Sequence, residues 1–220
     1  KSRLELIRVP YLRKYSDEAK IYRDTAVAAS GKKELNPHTT RVLALWAVMT
    51  RLKKPLVENK EKELASLLEN LTPLSKAKLY NGDPLRLPLK TDERRVLSAH
   101  VSKLYSEHQS QVYYEGLLGA SARELKVLLQ IAGQNPNYPT LSPIAVFDEL
   151  EKLILRTQDF DYLRQESVDK GFHNFKEIIA FAREEWIEWV NEEVKSVLNL
   201  EPVEQIESLF NDYIVQVVPF

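Results

Sequence analysis

Apolar residues recur at three- and four-residue spacing along almost the whole chain, the period of helices that bury one face. The first such stretch covers residues 15–29, with Ser16 or Asp17 as its cap and Gly31 as its stop. Asn36-Pro37 reads as an N-cap followed by proline at the first helical position. It opens a helix through Val42, Leu45, Trp46, Val48 and Met49 to about residue 53, whose wide apolar face places it at the centre of a core. Two shorter helices follow at 61–70 and 73–80. Asn81-Gly82-Asp83-Pro84 breaks the pattern and opens an irregular loop that runs to residue 90. Thr91 or Asp92 then caps a helix carrying Val96, Leu97, Val101 and Leu104. A further helix from 122 to about 132 buries Leu125, Leu128, Leu129 and Ile131.

The turn-rich Asn135-Pro136-Asn137-Tyr138-Pro139 leads to Ser142-Pro143, a second cap-plus-proline start, with Val146, Leu150, Leu153 and Ile154 facing inward. Asn174 and Glu177 form a variant capping box ahead of a long helix through Trp186, Trp189, Val190 and Val194. A last helix is expected from about 202 to 215. Only Leu4 to Val9 reads as a strand, stopped by Pro10. A strand needs partners for its backbone donors and acceptors. The chain is therefore read as a piece of a longer polypeptide whose sheet lies elsewhere, and its fold class as all-α.

Composition narrows the functional classes. The formal net charge is −1, which gives no overall drive towards nucleic acid or an acidic membrane. No apolar run approaches the roughly 18 residues of a membrane span. With no cysteine, disulfides and thiolate ligation are excluded and a reducing, cytoplasmic setting is expected. The phosphate-cradling G-x-x-x-x-G-K-[ST] pattern is absent, as are H-R-D and D-F-G. The four histidines show no H-E-x-x-H spacing, so no metal site is expected. Arg13-Lys14, Lys32-Lys33 and Arg94-Arg95 read as solvated charge, and Lys53-Lys54 as cations complementing a helix C-terminus.

The most informative stretch is Gly119-Ala120-Ser121-Ala122-Arg123-Glu124. Ser121 and Glu124 stand three apart, so each can satisfy an orphan backbone donor of the other. Arg123 sits in the first helical turn, where a cation opposes the macrodipole by roughly a few tenths of a kcal/mol. Either it is solvated and paired with Glu115 or Glu124, or it is held there to reach an anion such as a nucleotide phosphate. Trp186 and Trp189 share one side of their helix, as core anchors or as an interface stripe. Tyr113-Tyr114 is open between core and pocket lining.

Several blocks in order resemble the PrkA-type serine protein kinase family. They are Val9-Pro10-Tyr11-Leu12, Glu18 to Tyr22, Pro37-His38-Thr39-Thr40 and Leu45-Trp46-Ala47-Val48-Met49-Thr50-Arg51-Leu52. Tyr114-Glu115-Gly116, the Gly119–Glu124 block, Asn135-Pro136, Leu141 to Val146 and Gly171-Phe172-His173 continue the resemblance. In that family an N-terminal AAA+ ATPase module carries the phosphate loop and a helical part follows. The Gly119–Glu124 block is also similar to the sensor-2 motif of MoxR-like AAA+ ATPases, with Ala122 where proline is usual. There the arginine points at the γ-phosphate, which assigns that role here to Arg123, with Gly119, Ala120, Ser121 and Glu124 in support; Arg51 is the weaker alternative.

The resemblance implies a remnant of the ATPase core at 1–12, a lid-like helical region at 13–157 with an insertion at 56–115, and a helical extension at 158–220. ATP and magnesium belong to the complete protein, none being expected on this piece alone. The upstream AAA+ core is the expected partner, with an unidentified protein substrate, a homo-oligomer as a further candidate, and no nucleic acid or membrane. Three functions compete: a lid and regulatory region, the kinase catalytic domain itself, or a module for oligomerisation or partner docking through Trp186 and Trp189.

Overall fold

A computed structural model describes residues 7–58, 60–85 and 89–198. Its regular elements are helices: α1 (Tyr15–Ser30), α2 (Thr39–Arg51), α3 (Lys62–Glu69), α4 (Pro73–Asn81), α5 (Thr91–Ser106), α6 (Ala122–Gln134), α7 (Pro143–Leu153) and α8 (Phe175–Val197). Among the described residues there is no strand, only isolated bridges at Leu35–Leu141 and Val168–Phe172. The protein is all-α. Of the expected N-terminal strand, residues 4–6 lie outside the described residues and Ile7 to Pro10 are irregular. The helix expected at 202–215 also lies outside them. No described helix is long and apolar enough to cross a membrane.

The chain divides into two compact units, Lys1–Arg183 and Glu184–Phe220. In the first, α1 packs on α2 and α6, and α7 packs on α2 and α6, so these four helices close a ring. Helix α2 is its centre, buried at every position from Val42 to Arg51. The α1 face runs Tyr15, Glu18, Ala19, Tyr22 and Ala26, the helical spacing with one acid inside it. Between α2 and α6 the chain makes an excursion. There α4 packs on α2, α1 and α5, and α3 packs on α5.

Glycine decides how closely α1 and α6 approach. A β-carbon at Gly133 would meet the backbone of Ala29, colliding with its carbonyl oxygen and lying 2.8 Å from its carbonyl carbon.

Helix starts differ from the sequence expectation where distant chain supplies the cap. Helix α2 begins at Thr39, after His38 in the left-handed region, and not at Pro37. The backbone at 34–36 is engaged elsewhere: Asn36 donates to the Leu141 carbonyl at 2.9 Å, and Leu141 donates to that of Glu34 at 2.9 Å. The α1 cap is not Ser16 or Asp17. The Ser16 amide donates to Asn81 Oδ1 at the far end of α4, 3.0 Å away. Ser142 and Asn174 do cap their helices through Ala145 N and Glu177 N. Ile131, expected in the core, is 48% exposed, because α6 buries the face of Leu125, Leu128, Leu129 and Ala132.

Candidate functional site around Arg51 and Arg123

Arg51 ends the buried stripe of α2, and all five of its N–H donors are used. Nη1 and Nη2 fork onto Glu18 at 2.9 and 2.7 Å. Nε and Nη2 donate to the Ala120 carbonyl at 3.1 and 2.7 Å, and Nη1 reaches the Leu12 carbonyl at 2.9 Å. Both side chains are almost wholly buried. A planar guanidinium facing a carboxylate is the geometry in which such a pair is strongest. Tyr22 also donates its hydroxyl to Glu18, and its own proton is held tightly, first by burial and then by that carboxylate. With every donor committed, Arg51 has none left for a phosphate in this arrangement.

The same guanidinium shapes the approach to α6. Gly119 has φ +141°, and a β-carbon there would overlap Arg51 Cγ and lie 3.1 Å from Arg51 Cα. Only glycine lets the backbone pass so close. The following peptide is then clamped on both sides: the Ala120 N–H donates to Thr50 Oγ1 at 3.0 Å while its carbonyl accepts from Arg51. Ser121 and Glu124 close a reciprocal capping box at 3.3 and 3.4 Å, in the geometry their spacing predicts.

Arg123 stands in the first turn of this braced start, between Ser121 and Glu124. Its side chain is exposed and makes no hydrogen bond or ion pair among the described residues. The expected pairing with Glu115 or Glu124 is not formed: Glu124 serves the cap and Glu115 is sequestered elsewhere. Beside Arg123 a groove of about 300 Å³ runs between α6 and α7, floored by Val127, Leu128, Ile131 and Leu153, with Phe160 at its end.

A second charged cluster was not expected from sequence. Glu115 is buried and accepts from Lys76 Nζ at 2.6 Å, Tyr80 Oη at 2.8 Å, Arg13 Nη1 at 3.0 Å and the Lys53 amide at 2.8 Å. Lys76 is fully buried, and Arg13, expected as solvated charge, is 4% exposed with its guanidinium 3.5 Å over the Tyr105 ring. Burial alone would raise the Glu115 carboxyl. The Lys76 charge and the hydrogen bonds from Lys76, Lys53 and Tyr80 outweigh that, and hold it below the ordinary glutamate value of 4.5. A carboxyl depressed in the folded state stabilises the fold above its unfolded value and loses that contribution as pH falls through the folded one. Urea midpoints of the chain should therefore fall as pH is lowered below about 4.5. Glu115→Gln should flatten that slope; an unchanged slope would mean other carboxylates carry it.

Tyr113 and Tyr114 line a cavity of about 800 Å³ with Lys53, Gln165 and His173. Burial lowers the proton affinity of both Lys53 and His173. Lys53 is no free helix-end cation, since Nζ donates to Gln111 Oε1 at 3.2 Å and to the Tyr113 carbonyl. Within the second unit, Trp189 is buried and donates its indole N–H to Glu185 at 2.9 Å, whereas Trp186 is half-buried. Among the described residues no three His or acidic side chains are grouped to hold a metal ion.

Residues 74–219 match the family model of the PrkA serine protein kinase C-terminal domain, more than half of the chain. The chain belongs to the PrkA family. No curated protein and no solved structure matches it. The PrkA match begins inside α4 and includes the whole Gly119–Glu124 block. Helices α1 and α2 precede it, yet they supply half of the four-helix ring and both Glu18 and Arg51. Helices α4, α6 and α7 of the PrkA match thus pack on helices that its family model leaves out.

Proposed function

We propose that this chain is the lid and regulatory helical region of an ATP-dependent PrkA-type protein. In this reading Arg123 senses the terminal phosphate of a nucleotide held, with magnesium, by an upstream AAA+ module. The observation that carries it is an unpaired, exposed guanidinium projecting from a helix start whose Ala120 peptide and Ser121–Glu124 box are held by hydrogen bonds. An arginine fork can take two phosphate oxygens and stabilise charge as the terminal phosphoryl group departs. The capping box and the clamped Ala120 peptide hold that turn in place. The two carboxylates that line the groove beside it are committed elsewhere, Glu124 to the Ser121 cap and Glu149 to Asn135 and Lys152, and leave the guanidinium unpaired. A four-helix ring interrupted by an excursion between α2 and α6 also fits lid helices carrying an insertion at 56–115. Movement of such a lid with nucleotide state would report hydrolysis to a protein partner.

The test uses the complete protein. Arg123→Ala should lower ATP turnover by about 100-fold, the usual scale for one transition-state donor, with the helical circular dichroism unchanged. Residues 1–220 alone should neither hydrolyse ATP nor transfer phosphate. Wild-type turnover of Arg123→Ala would return Arg123 to an ordinary surface charge. The family's name keeps a second reading in play, the kinase catalytic domain itself, and phosphotransfer by residues 1–220 would establish it in place of the first.

A further inference from the structure

The two arginines that sequence sets up as rivals are joined in the structure. Arg51 Nη1 donates to the carbonyl of Leu12, in the segment that enters α1, and its Nε and Nη2 donate to the carbonyl of Ala120, one peptide before the Ser121 cap. These partners lie 39 and 69 residues away in sequence. The backbone of the same residues closes a second path: Gly116 donates its N–H to the Arg51 carbonyl at 3.2 Å, and Tyr11 donates to the Gly116 carbonyl at 2.8 Å. The Arg51 guanidinium also lies 4.9 Å over the Tyr11 ring. Gly119, without a β-carbon, lets the α6 approach rest directly on the Arg51 stem.

We infer that Arg51 is a positioning residue that couples the segment Tyr11–Leu12 to the turn presenting Arg123. Because one rigid, planar group is shared by Leu12, Glu18 and Ala120, displacing the entering segment must either leave an N–H of the buried Arg51 guanidinium without its Leu12 acceptor or shift the Ala120 peptide with it. Unmade buried bonds cost more than the shift of a short turn. The placement of Arg123 thereby follows the placement of residues 11–12. This coupling rests on the sensing role proposed above only for its functional meaning, not for its existence.

A double-mutant cycle on residues 1–220 tests it, read by amide hydrogen exchange at Ala120. Tyr11→Pro removes the N–H given to Gly116 and disturbs the entering segment. Arg51→Lys keeps the charge but has three donors and no fork. With Arg51 in place, Tyr11→Pro should speed Ala120 exchange about tenfold, a coupling usual within one hydrogen-bond network. In the Arg51→Lys background the same change should alter exchange by less than about twofold. Equal responses in both backgrounds would overturn the coupling. Should Arg51→Lys not fold, Tyr11→Pro alone is read at two amides, Ala120 and Ala145, the second capped by Ser142 with no bond to Arg51; equal acceleration at both would overturn the coupling. In the complete protein Arg51→Lys should lower kcat for ATP while leaving KM close to wild type. If Arg123→Ala leaves turnover intact but the exchange cycle is non-additive, the sensing role fails and the coupling stands.

Discussion

Glu115→Ala should lower the unfolding free energy by about 3–5 kcal/mol, the scale for removing one member of a buried ion pair. The loss is not that of the contacts themselves, since a buried pair contributes little net over an apolar replacement. It arises because Lys76 stays fully buried, its ammonium left with the Lys53 carbonyl at 2.7 Å, Glu107 at 3.6 Å and the Tyr80 ring at 5.5 Å among the described residues. Arg13 loses its carboxylate too, but keeps the Tyr105 carbonyl at 2.8 Å and the Tyr105 ring. Glu115→Gln, which still accepts from the Lys53 amide, should fall between wild type and alanine. Urea unfolding with an unchanged slope would read both values. A loss below about 1 kcal/mol for the alanine variant would show that Lys76 can reach water.

The second large effect is expected at Gly133, where α6 meets α1. In an open helix Gly→Ala would gain about 1 kcal/mol of propensity. Here the new β-carbon meets the backbone of Ala29, which cannot rotate away as a side chain could. Separating α1 from α6 would loosen the faces of Ala26 and Ala132 together, and overpacking of this kind costs about 1–3 kcal/mol or more. Gly133→Ala should therefore lose about 1–2 kcal/mol net and Gly133→Val about 3 kcal/mol, since valine is bulkier and brings less compensating propensity than alanine. Thermal unfolding measures both. A stabilised Gly133→Ala would mean that the two helices can part without loss.

The helical architecture was legible because its signals are local. Ser121-x-x-Glu124, Ser142-Pro143 and Asn174-x-x-Glu177 each carry their cap within one turn, and each cap forms. Asn36-Pro37 carries the same signal and misleads, since Leu141 claims the backbone beside it, a pairing about 100 residues away that no local pattern encodes. The α1 cap fails to be read for the same reason, coming from Asn81.

At the site, Arg123 was marked by its turn, but the surroundings of the charges were not. A faint signal did exist for Arg51 and Glu18: each interrupts an apolar stripe, one after Ala44 and Ala47 on α2, the other between Tyr15 and Tyr22 on α1. Opposite charges set inside two buried faces can only be there as partners. Nothing comparable marks Lys76 or Arg13, whose burial depends on α4 packing on α2 and on α5 packing on α4.

The hydrogen bond from Gly116 to Arg51, with that from Ala120 to Thr50, brings the two ends of the 52–115 excursion together at the rim of the ring. That closure holds the ends of the excursion together independently of the contacts that α4 makes with α1 and α2. Loop-closure entropy grows only logarithmically, so doubling the excursion would cost about 0.6 kcal/mol. A reporter domain grafted into the excursion must then leave Asn81 and Asp83 in place, since they hold Ser16 and Tyr15 at the start of α1.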